Sequence, residues 1–350
     1  FVLSRLRMSL AIPLTIGLLV LYGLSAIWAF NNTYLLLDLF FAPIALLAFT
    51  GTGIGMNYVE EKKKGAFVRD AFSKYVNKDL LAELLRTQQL KLGGEKRELT
   101  VFFSDIRGFT SISEQLDPEK LVHLLNEYLT VMTKIILKHQ GTVDKFIGDA
   151  IMALWNAPLK DAHHAMKACK SAIEQVKALR LLQDEWSKRG VPVLEIGCGI
   201  HTGPAVVGNM GSEERFDYTA IGDTINLGSR IEGLTKVYGV SIIISEDTHA
   251  AIHDELPCRK LDAVKVKGKK KPVLLYHLCV DKDPAFVKAY EHALSLYFKR
   301  EFALAKAHFE KTLHIRANDK SCKLFIERCE KYEQHPPSAD WDGAFVLAHK

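Results

Sequence analysis

The stretch that decides the fold reads TVDKFIGDAIMALW and covers residues 142–155. Two apolar runs, Thr142–Ile147 and Ala150–Trp155, are separated in it only by Gly148 and Asp149. A two-residue connection that contains glycine, set between strand-like runs, predicts a tight β-hairpin. The hairpin places one aspartate, Asp149, in the turn between two paired strands.

Strands and helices alternate on both sides of this hairpin. Before it, the apolar run Leu99–Ser104 predicts a buried strand, and Pro118 begins an amphipathic pattern that predicts a helix to about His139. After it, the pattern predicts a helix over Ala162–Lys188, strand Leu194–Thr202, helix Asp223–Tyr238, strand Val240–Ile244 and a closing pair, Arg259–Val266 and Val273–Leu278. The order β-α-β-β-α-β predicts an α+β sandwich of the ferredoxin-like type.

A second aspartate, Asp105, follows the first of these strands in the sequence FFSDIRGFT, residues 102–110. In a ferredoxin-like sheet the first strand is central and lies beside the hairpin, so Asp105 and Asp149 would meet at one edge. Paired carboxylates with room for phosphate oxygens are the usual arrangement for Mg²⁺. Either aspartate alone would be interpreted as a cap or a turn residue, but together they favour a metal site.

The N-terminal part differs in composition from the rest of the chain. Of the 350 residues, 48% are hydrophobic and 25% are charged, which excludes a disordered protein. Residues 1–59 hold only three charged side chains, and the uncharged runs Leu10–Phe30 and Leu39–Val59 are each 21 residues long. A membrane-spanning helix needs about 20 apolar residues, and a signal peptide has a shorter apolar segment. Residues 1–59 therefore predict a transmembrane hairpin in contact with membrane lipid.

The flanking charges predict the orientation of the two spans. Arg5 and Arg7 precede the first span, Lys62–Lys64 follow the second, and the turn over residues 31–34 has no basic residue. The positive-inside rule places both ends of the hairpin in the cytoplasm. We expect a multi-pass protein of the cell inner or plasma membrane whose larger part is cytoplasmic. Because the chain begins at Phe1 without an initiator methionine, we also expect a fragment of a longer protein, with any external sensor upstream.

Helical segments flank the α+β part, residues 95–280. Residues 60–94 have apolar side chains at helical spacing and predict a signalling linker, with a simple amphipathic linker as the alternative. Residues 284–333 predict antiparallel helices that resemble one tetratricopeptide unit with a partial neighbour. Since a single repeat cannot bury its own face, this segment should dock on the preceding domain or on a protein partner. Residues 334–350 are a tail without predicted structure.

Charge and cysteine content exclude two further classes of protein. The formal net charge is +5, too slight an excess to indicate a nucleic-acid partner. The six cysteines include no C-x-x-C pair, and all lie in the part assigned to the cytoplasm. We therefore expect reduced and mostly buried thiols rather than disulfides or a metal-binding cluster.

Three blocks in this order resemble the signature of class III nucleotidyl cyclases: FSDIRGFT at 103–110, KFIGDA at 145–150 and GDTINLGSR at 222–230. The resemblance covers about residues 95–280. The whole chain also resembles bacterial membrane-bound adenylate cyclases that carry an upstream CHASE-like sensor. In those proteins the cyclase is followed by tetratricopeptide-like helices and a Pro-Pro…Trp-Asp-Gly motif, which corresponds here to Pro336-Pro337 and residues 341–343.

The resemblance implies metal-binding and purine-binding residues. Asp105 and Asp149 match the aspartates that bind two Mg²⁺ or Mn²⁺ ions, and Ile106 would add a backbone carbonyl. Lys145 matches the position that contacts the purine, where guanylate cyclases have Glu, and Thr219 matches its partner. A lysine donor suits the acceptor N1 of adenine, and the Thr219 hydroxyl can accept the adenine amine. These positions favour ATP as the substrate.

The resemblance also implies residues for the ribose and the phosphates. Asn226 and Arg230, four apart on a predicted helix, match the pair that positions the ribose and stabilises charge on the α-phosphate. Lys267, within the basic run KVKGKKK at 265–271, matches the lysine that holds the terminal phosphates. The rest of that run is also typical of a solvated basic hairpin.

The implied reaction is in-line attack of the ribose 3′-hydroxyl on the α-phosphate with release of pyrophosphate. The resemblance implies that the metal aspartates and Lys145 come from one chain, whereas Asn226 and Arg230 come from its partner. One chain carries both sets, so a homodimer would form two equivalent sites. Control through dimer geometry, with signals entering through residues 60–92, is the corresponding hypothesis.

Three other functions are considered. A guanylate cyclase is disfavoured by Lys145, and a diguanylate cyclase by the replacement of its Gly-Gly-Asp/Glu-Glu-Phe hairpin with residues 147–150. A catalytically inactive nucleotide-binding receptor or scaffold module is disfavoured because both aspartates, Asn226, Arg230 and Lys145 are present. The sequence leaves open the stimulus, the choice between Mg²⁺ and Mn²⁺, and the contacts of the C-terminal helices.

Overall fold

A computed structural model describes residues 8–34, 38, 40–72, 92–252, 255–265, 272–338 and 340–346. The chain divides into two compact units, Phe1–Ala82 and Glu83–Lys350. The short helix predicted after Asn77 lies outside the described residues.

The described elements alternate as the sequence predicts. The helices are α1 (Met8–Thr33), α2 (Phe41–Phe72), α3 (Phe109–Gln115), α4 (Pro118–Lys138), α5 (His164–Lys188), α6 (Asp223–Tyr238), α7 (Glu246–Ala251), α8 (Pro284–Phe298), α9 (Phe302–Ile315) and α10 (Lys320–Gln334). The strands are β1 (Gly93–Ile106), β2 (Thr142–Ile147), β3 (Ala150–Trp155), β4 (Ile196–Gly211), β5 (Phe216–Ile221), β6 (Ile242–Ser245), β7 (Cys258–Lys265), β8 (Val273–Leu278) and β9 (Phe345–Val346).

The N-terminal unit contains α1 and α2. Within them, Leu10–Thr33 and Phe41–Ala66 are long and apolar enough to cross a membrane, with mean hydropathies of 2.2 and 1.2. The Thr15 and Thr50 hydroxyls lie 3.2 Å apart and join the two helices. Helix α2 runs without a break from the second apolar run to Phe72, well into the predicted linker. These two helices suit a membrane-associated protein.

The larger unit is built on one mixed sheet. Among the described residues the strand order is β2-β3-β1-β4-β6-β8-β7-β9, and β5 pairs with the far end of β4. Strand β1 is central and antiparallel to both β3 and β4, whereas β4 and β6 are parallel. The predicted α+β architecture is therefore confirmed, with the hairpin β2–β3 beside the first strand.

Alternation along β1 separates two cores. Phe102 and Ile106 pack with α4 and α5 on one face of the sheet, in a cluster that includes the buried Trp155 and Trp186. Leu99, Val101 and Phe103 face the other side, where β5 packs. Because side chains alternate along a strand, Asp105 lies on the same side of the sheet as Leu99, Val101 and Phe103.

Helix α6 lies very close to β4 because glycines line the contact. A Cβ added at Gly199 would be 2.2 Å from the Glu232 backbone nitrogen, and one at Gly197 would be within 3.0 Å of Glu232 Oε1. On the helix, a Cβ at Gly228 would be 2.6 Å from Val101 Cγ1. This packing fixes how α6 is rotated on the sheet.

The C-terminal helices share a core with the cyclase-like region, as predicted for a segment that cannot bury its own face. Side chains of α8, α9 and α10 form one cluster with Leu227 and Ile231 of α6 and with Leu261 of β7. Buried ion pairs connect the same elements: Arg328 to Asp262 at 2.6 Å and Arg259 to Asp319 at 3.2 Å. The tetratricopeptide likeness of these helices stays a prediction.

Several local features differ from the sequence-based expectation, among them the unpredicted helix α7 and the start of β1 at Gly93. Strand β4 continues to Gly211 rather than ending at Thr202, because it forms a long arm with β5, which was not predicted. Phe109–Gln115 is a short helix that begins after Gly108, whose φ is +67°. The tail is not structureless, since β9 pairs with β7 and Trp341 packs on Tyr297. All six cysteines are free and five are buried, as predicted.

Candidate functional site

The two predicted metal-binding aspartates meet at the end of β1. The backbone N–H of Ile106 donates to Asp105 Oδ1 at 3.1 Å and to Asp149 Oδ2 at 3.2 Å. Asp149 reaches this point because Gly148, with a φ of +65°, closes the β2–β3 turn in two residues. Glycine adopts this left-handed conformation at little cost.

Three acidic side chains, Asp105, Asp149 and Glu232, interact electrostatically near the end of β1. Burial, followed by the neighbouring Asp149, raises the pKa of Asp105 to about 6. Burial also raises the pKa of Glu232 on α6 to about 7, with Asp105 and Asp149 adding to the rise and Arg107 opposing it. Carboxylates held this close favour a positive charge between them.

The donor set suits a hard divalent cation. Within the described part of the chain, no group of three or more His, Cys, Asp or Glu side chains is arranged to enclose a metal. Two carboxylates at an open turn match the way Mg²⁺ is bound in phosphate-handling sites, where water and substrate phosphates complete the shell. Asp105 and Asp149 therefore fit such an ion.

A second pair of predicted residues also meets within one chain. Lys145 Nζ lies 3.3 Å from Thr219 Oγ1, across 74 positions of sequence. A third side chain, Asp144, joins them: the Thr219 hydroxyl donates to Asp144 Oδ2 at 2.5 Å, and Lys145 Nζ is 3.1 Å from Asp144 Oδ1. The Asp144 carboxylate is almost completely buried, whereas Lys145 is partly exposed.

A β-bulge explains why neighbours on β2 can reach the same partner. The pairing with β3 shifts between Val143 and Lys145, so Asp144 is the extra residue. In a regular strand Asp144 and Lys145 would point to opposite faces. A bulge removes this alternation locally and lets both side chains contact Thr219.

Asn226 and Arg230 lie on α6, and both are exposed in the single chain. Gly228 and Glu232 of the same helix face the sheet through the close contacts described above. Because residues two apart on a helix differ by about 200°, Asn226 and Arg230 point away from that sheet. The structure thus presents them on a surface open to a second molecule.

Comparison with known families covers the part of the chain that holds these residues. The family model described as the adenylate and guanylate cyclase catalytic domain matches residues 94–279. The chain belongs to this family. The cyclase domain therefore comprises β1 to β8, and the C-terminal helices follow it.

Curated relatives of the cyclase domain include adenylate cyclases from two bacteria. Adenylate cyclase 1 of Rhizobium meliloti (strain 1021) is 38% identical over 216 residues, which cover 60% of this chain and 32% of that protein. The adenylate cyclase of Anabaena cylindrica is 38% identical over 216 residues, which cover 60% of this chain and 43% of that protein. The chain thus spans less than half the length of either relative.

Solved cyclase structures share the fold. The adenylyl cyclase CyaB from P. aeruginosa is 42% identical, with a TM-score of 0.51, over 55% of this chain and 98% of that one. The guanylyl cyclase Cya2 is 39% identical, with a TM-score of 0.50, over 55% of this chain and 97% of that one. Because cyclases named for both purines match almost equally, the choice of purine depends on the residues of the pocket.

Two residues of the candidate site escaped the sequence analysis, and one predicted residue cannot be placed. Asp144 was missed although it directly precedes Lys145; an acidic residue inside a strand otherwise typical of a buried hairpin was the available signal. Glu232 was missed because it is distant in sequence from Asp105 and Asp149, and its signal was the GxxxE spacing on α6. Lys267 lies outside the described residues.

Proposed function

We propose that this chain is an adenylate cyclase that converts ATP to 3′,5′-cyclic AMP and pyrophosphate. The observation that carries the proposal is the convergence of two pairs in one fold. Asp105 and Asp149 meet at the Ile106 N–H, and Lys145 contacts Thr219 at 3.3 Å. The first pair suits the cations that accompany a triphosphate, and the second suits a purine.

The second pair supports adenine over guanine. Adenine offers an acceptor at N1 and a donor amine at C6, whereas guanine offers a donor at N1 and an acceptor at C6. Lys145 can only donate, so it matches the adenine N1. The Thr219 oxygen can accept a hydrogen bond from the C6 amine. A guanine ring would set donor against donor at Lys145, which costs binding energy because the groups are left unpaired.

Asp105 and Asp149 would hold Mg²⁺ or Mn²⁺, two ions per site, with the Ile106 carbonyl as a further ligand. Bound divalent cations would neutralise the triphosphate and lower the pKa of the 3′-hydroxyl. Burial and then the neighbouring Asp149 raise the pKa of Asp105 to about 6, and a bound cation would compensate the negative charge that both effects disfavour. Lys267 would bind the terminal phosphates.

Asn226 and Arg230 would act at the reacting centre. The Asn226 amide can orient the ribose, and the planar Arg230 guanidinium can donate two hydrogen bonds to the α-phosphate oxygens as charge moves onto them. Holding the 3′-hydroxyl in line with the α-phosphate supplies much of the acceleration in reactions of this kind.

A homodimer is the assembly we propose. Asn226 and Arg230 face away from their own sheet, so a partner copy would bring them to the aspartates. Exposed apolar side chains support a contact there: Phe146 and Ile147 are about half exposed beside Asp149, and Val206 and Ile221 are exposed on β4 and β5.

The contact between Lys145 and Thr219 refines which residues act together. Thr219 precedes Asn226 by seven residues, on the strand that leads into α6. A purine held by Thr219 therefore lies beside the segment that carries Asn226 and Arg230. We propose that Lys145, Thr219, Asn226 and Arg230 come from one copy and the aspartates from the other, in contrast to the grouping of Lys145 with the aspartates.

We further propose a multi-pass location in the cell inner or plasma membrane, with the cyclase domain in the cytoplasm. Two apolar helices of sufficient length and basic residues at both outer flanks support it. An upstream CHASE-like sensor, a signalling role for residues 60–94 and a protein partner for residues 284–333 belong to the same proposal.

The test is product analysis with the purified chain. We expect Mn²⁺ and ATP to give 3′,5′-cyclic AMP and pyrophosphate, and GTP to give little product. Asp149→Ala should lower the rate of cyclic AMP formation at least about a hundredfold, because one carboxylate cannot hold the cations. Equal turnover by Asp149→Ala would remove the metal assignment. Cyclic GMP as the main product would favour a guanylate cyclase, and no turnover with either nucleotide would favour an inactive binding module.

A further inference from the structure

Asp144 is the buried partner of the two purine-contacting residues, and it has only acceptor atoms when ionised. Its carboxylate accepts the Thr219 hydroxyl at 2.5 Å, and the Ala220 backbone N–H also donates to it. Burial raises the pKa of Asp144, while Thr219 and Lys145 oppose that rise by stabilising the charged form. The Lys145 ammonium at 3.1 Å keeps a positive charge beside the carboxylate.

The hydroxyl of Thr219 has one proton and two lone pairs. Since the proton is donated to Asp144, the oxygen presents only lone pairs to other groups. One lone pair accepts from Lys145 Nζ at 3.3 Å. The other is available to a ligand. Without Asp144, the same hydroxyl could rotate and donate to a ligand instead.

We propose that Asp144 is a positioning residue that makes Thr219 an obligate acceptor, so that the pocket selects a donor at the purine 6-position. This inference rests on the proposed function, because it assumes that Lys145 and Thr219 contact the base. It assigns the discrimination at C6 to a buried carboxylate that does not touch the nucleotide. The Thr219 oxygen accepts a hydrogen bond from a 6-amine, whereas a 6-oxygen would face a lone pair of Thr219.

The experiment compares three triphosphates that all keep an unprotonated N1 for Lys145. ATP has a donor at C6, purine riboside triphosphate has only hydrogen there, and 6-methoxypurine riboside triphosphate has an acceptor. Cyclisation by the full chain is measured as kcat/KM for each. Because N1 is constant, any loss at Lys145 lowers all three values together, and the ratio between nucleotides reports Thr219 alone.

We expect wild type to prefer ATP over the 6-methoxy analogue, and Asp144→Ala to reduce this preference at least about tenfold by freeing the Thr219 proton. Asp144→Leu has a similar branched shape but no acceptor atom and should move the preference in the same direction, which covers the case in which the alanine variant does not fold. Thr219→Val should also reduce the preference, and Asp144→Ala should add nothing in that background.

Asp161→Asn is the matched control, because Asp161 also pairs with a lysine, Lys167 at 2.8 Å, in a partly buried setting away from the purine pair. Its preference should equal that of wild type. A folded position-144 variant with unchanged preference would overturn the inference, as would a further loss caused by Asp144→Ala in the Thr219→Val background. Failure of the proposed function is distinct, since wild type would then cyclise none of the three nucleotides.

Discussion

The imidazole of His164 is a buried titratable group at the start of α5. Its Nδ1 lies 2.7 Å from the Thr100 hydroxyl, which also contacts Thr202. Burial lowers the pKa of His164 below its ordinary value of 6.5, although Glu98 and Asp161 act in the opposite direction. The folded chain therefore keeps this ring neutral at a pH where the unfolded chain protonates it.

A pH dependence of stability follows from that shift. A group with a lowered folded pKa contributes stability that is present above its unfolded pKa and is lost as the pH falls through the folded pKa. We expect the free energy of unfolding to fall from pH 7.5 to pH 5.5 more steeply in wild type than in His164→Gln. Urea unfolding at both pH values measures this, and parallel slopes in the two proteins would contradict it.

For single residues, the sequence predicts which positions belong to the site better than it predicts which side chains contact each other. Asp105, Asp149 and Lys145 were identified from their motifs, and the structure brings Asp105 to Asp149 and Lys145 to Thr219. The part played by Asp144 depends on a bulge in β2, and alternation along a strand cannot predict where a bulge occurs.

Among the secondary-structure elements, helix α6 packs closely on strand β4 through Gly199. A Cβ at Gly199 would lie 2.2 Å from a backbone atom of Glu232, which cannot move without shifting the helix. We expect Gly199→Ala to lower the free energy of unfolding by about 1–3 kcal/mol and to reduce cyclase activity by displacing Asn226 and Arg230.

Gly233 provides the matched control on the same helix. Nothing lies within 4 Å of a Cβ built there. Since alanine is about 1 kcal/mol more favourable than glycine in a helix interior, Gly233→Ala should stabilise the chain slightly. Thermal unfolding of the two variants tests the contact, and a Gly199→Ala protein as stable as Gly233→Ala would show that α6 is not held this closely.

The attachment of α10 depends on a buried charge pair. Arg328 lies 2.6 Å from Asp262 on β7, and the Tyr238 hydroxyl at the end of α6 donates to the same carboxylate. Arg328→Met leaves Asp262 buried without its cation and should cost about 3–5 kcal/mol. Lys306→Met, which removes an exposed pair with Glu330, should change the unfolding midpoint little. Equal unfolding midpoints for Arg328→Met and Lys306→Met would show that the Arg328–Asp262 pair does not hold α10 in place.

Elements were predicted well where their own sequence determines them. Helix α6 was predicted over Asp223–Tyr238, the bounds that the structure gives, because its apolar spacing is regular and Gly239 ends it. Strand β9 was not predicted, since it has two residues and pairs with the distant β7. Strand β5 has six residues and pairs with the preceding β4 across residues 212–215, and this local hairpin escaped the sequence analysis. The tail motif likewise acquires its contacts, such as Trp341 on Tyr297, only in the folded chain.

The assembly of the whole molecule determines which residues act together. If Lys145 and Arg230 are contributed by the same copy, mixing inactive Lys145→Ala and Arg230→Ala chains cannot form an intact site. We therefore expect co-expression of these two variants to restore no activity. Restoration would instead support the grouping of Lys145 with the aspartates.

The most direct test of the shared site is complementation between Asp149→Ala and Arg230→Ala. Each variant alone should lack cyclase activity, because both of its sites miss one residue. Random co-assembly makes half of the dimers mixed, each with one intact site, so co-expression should restore about a quarter of the wild-type rate. Mixed dimers that form, as judged by two affinity tags, and yet remain inactive would contradict a site built from two copies.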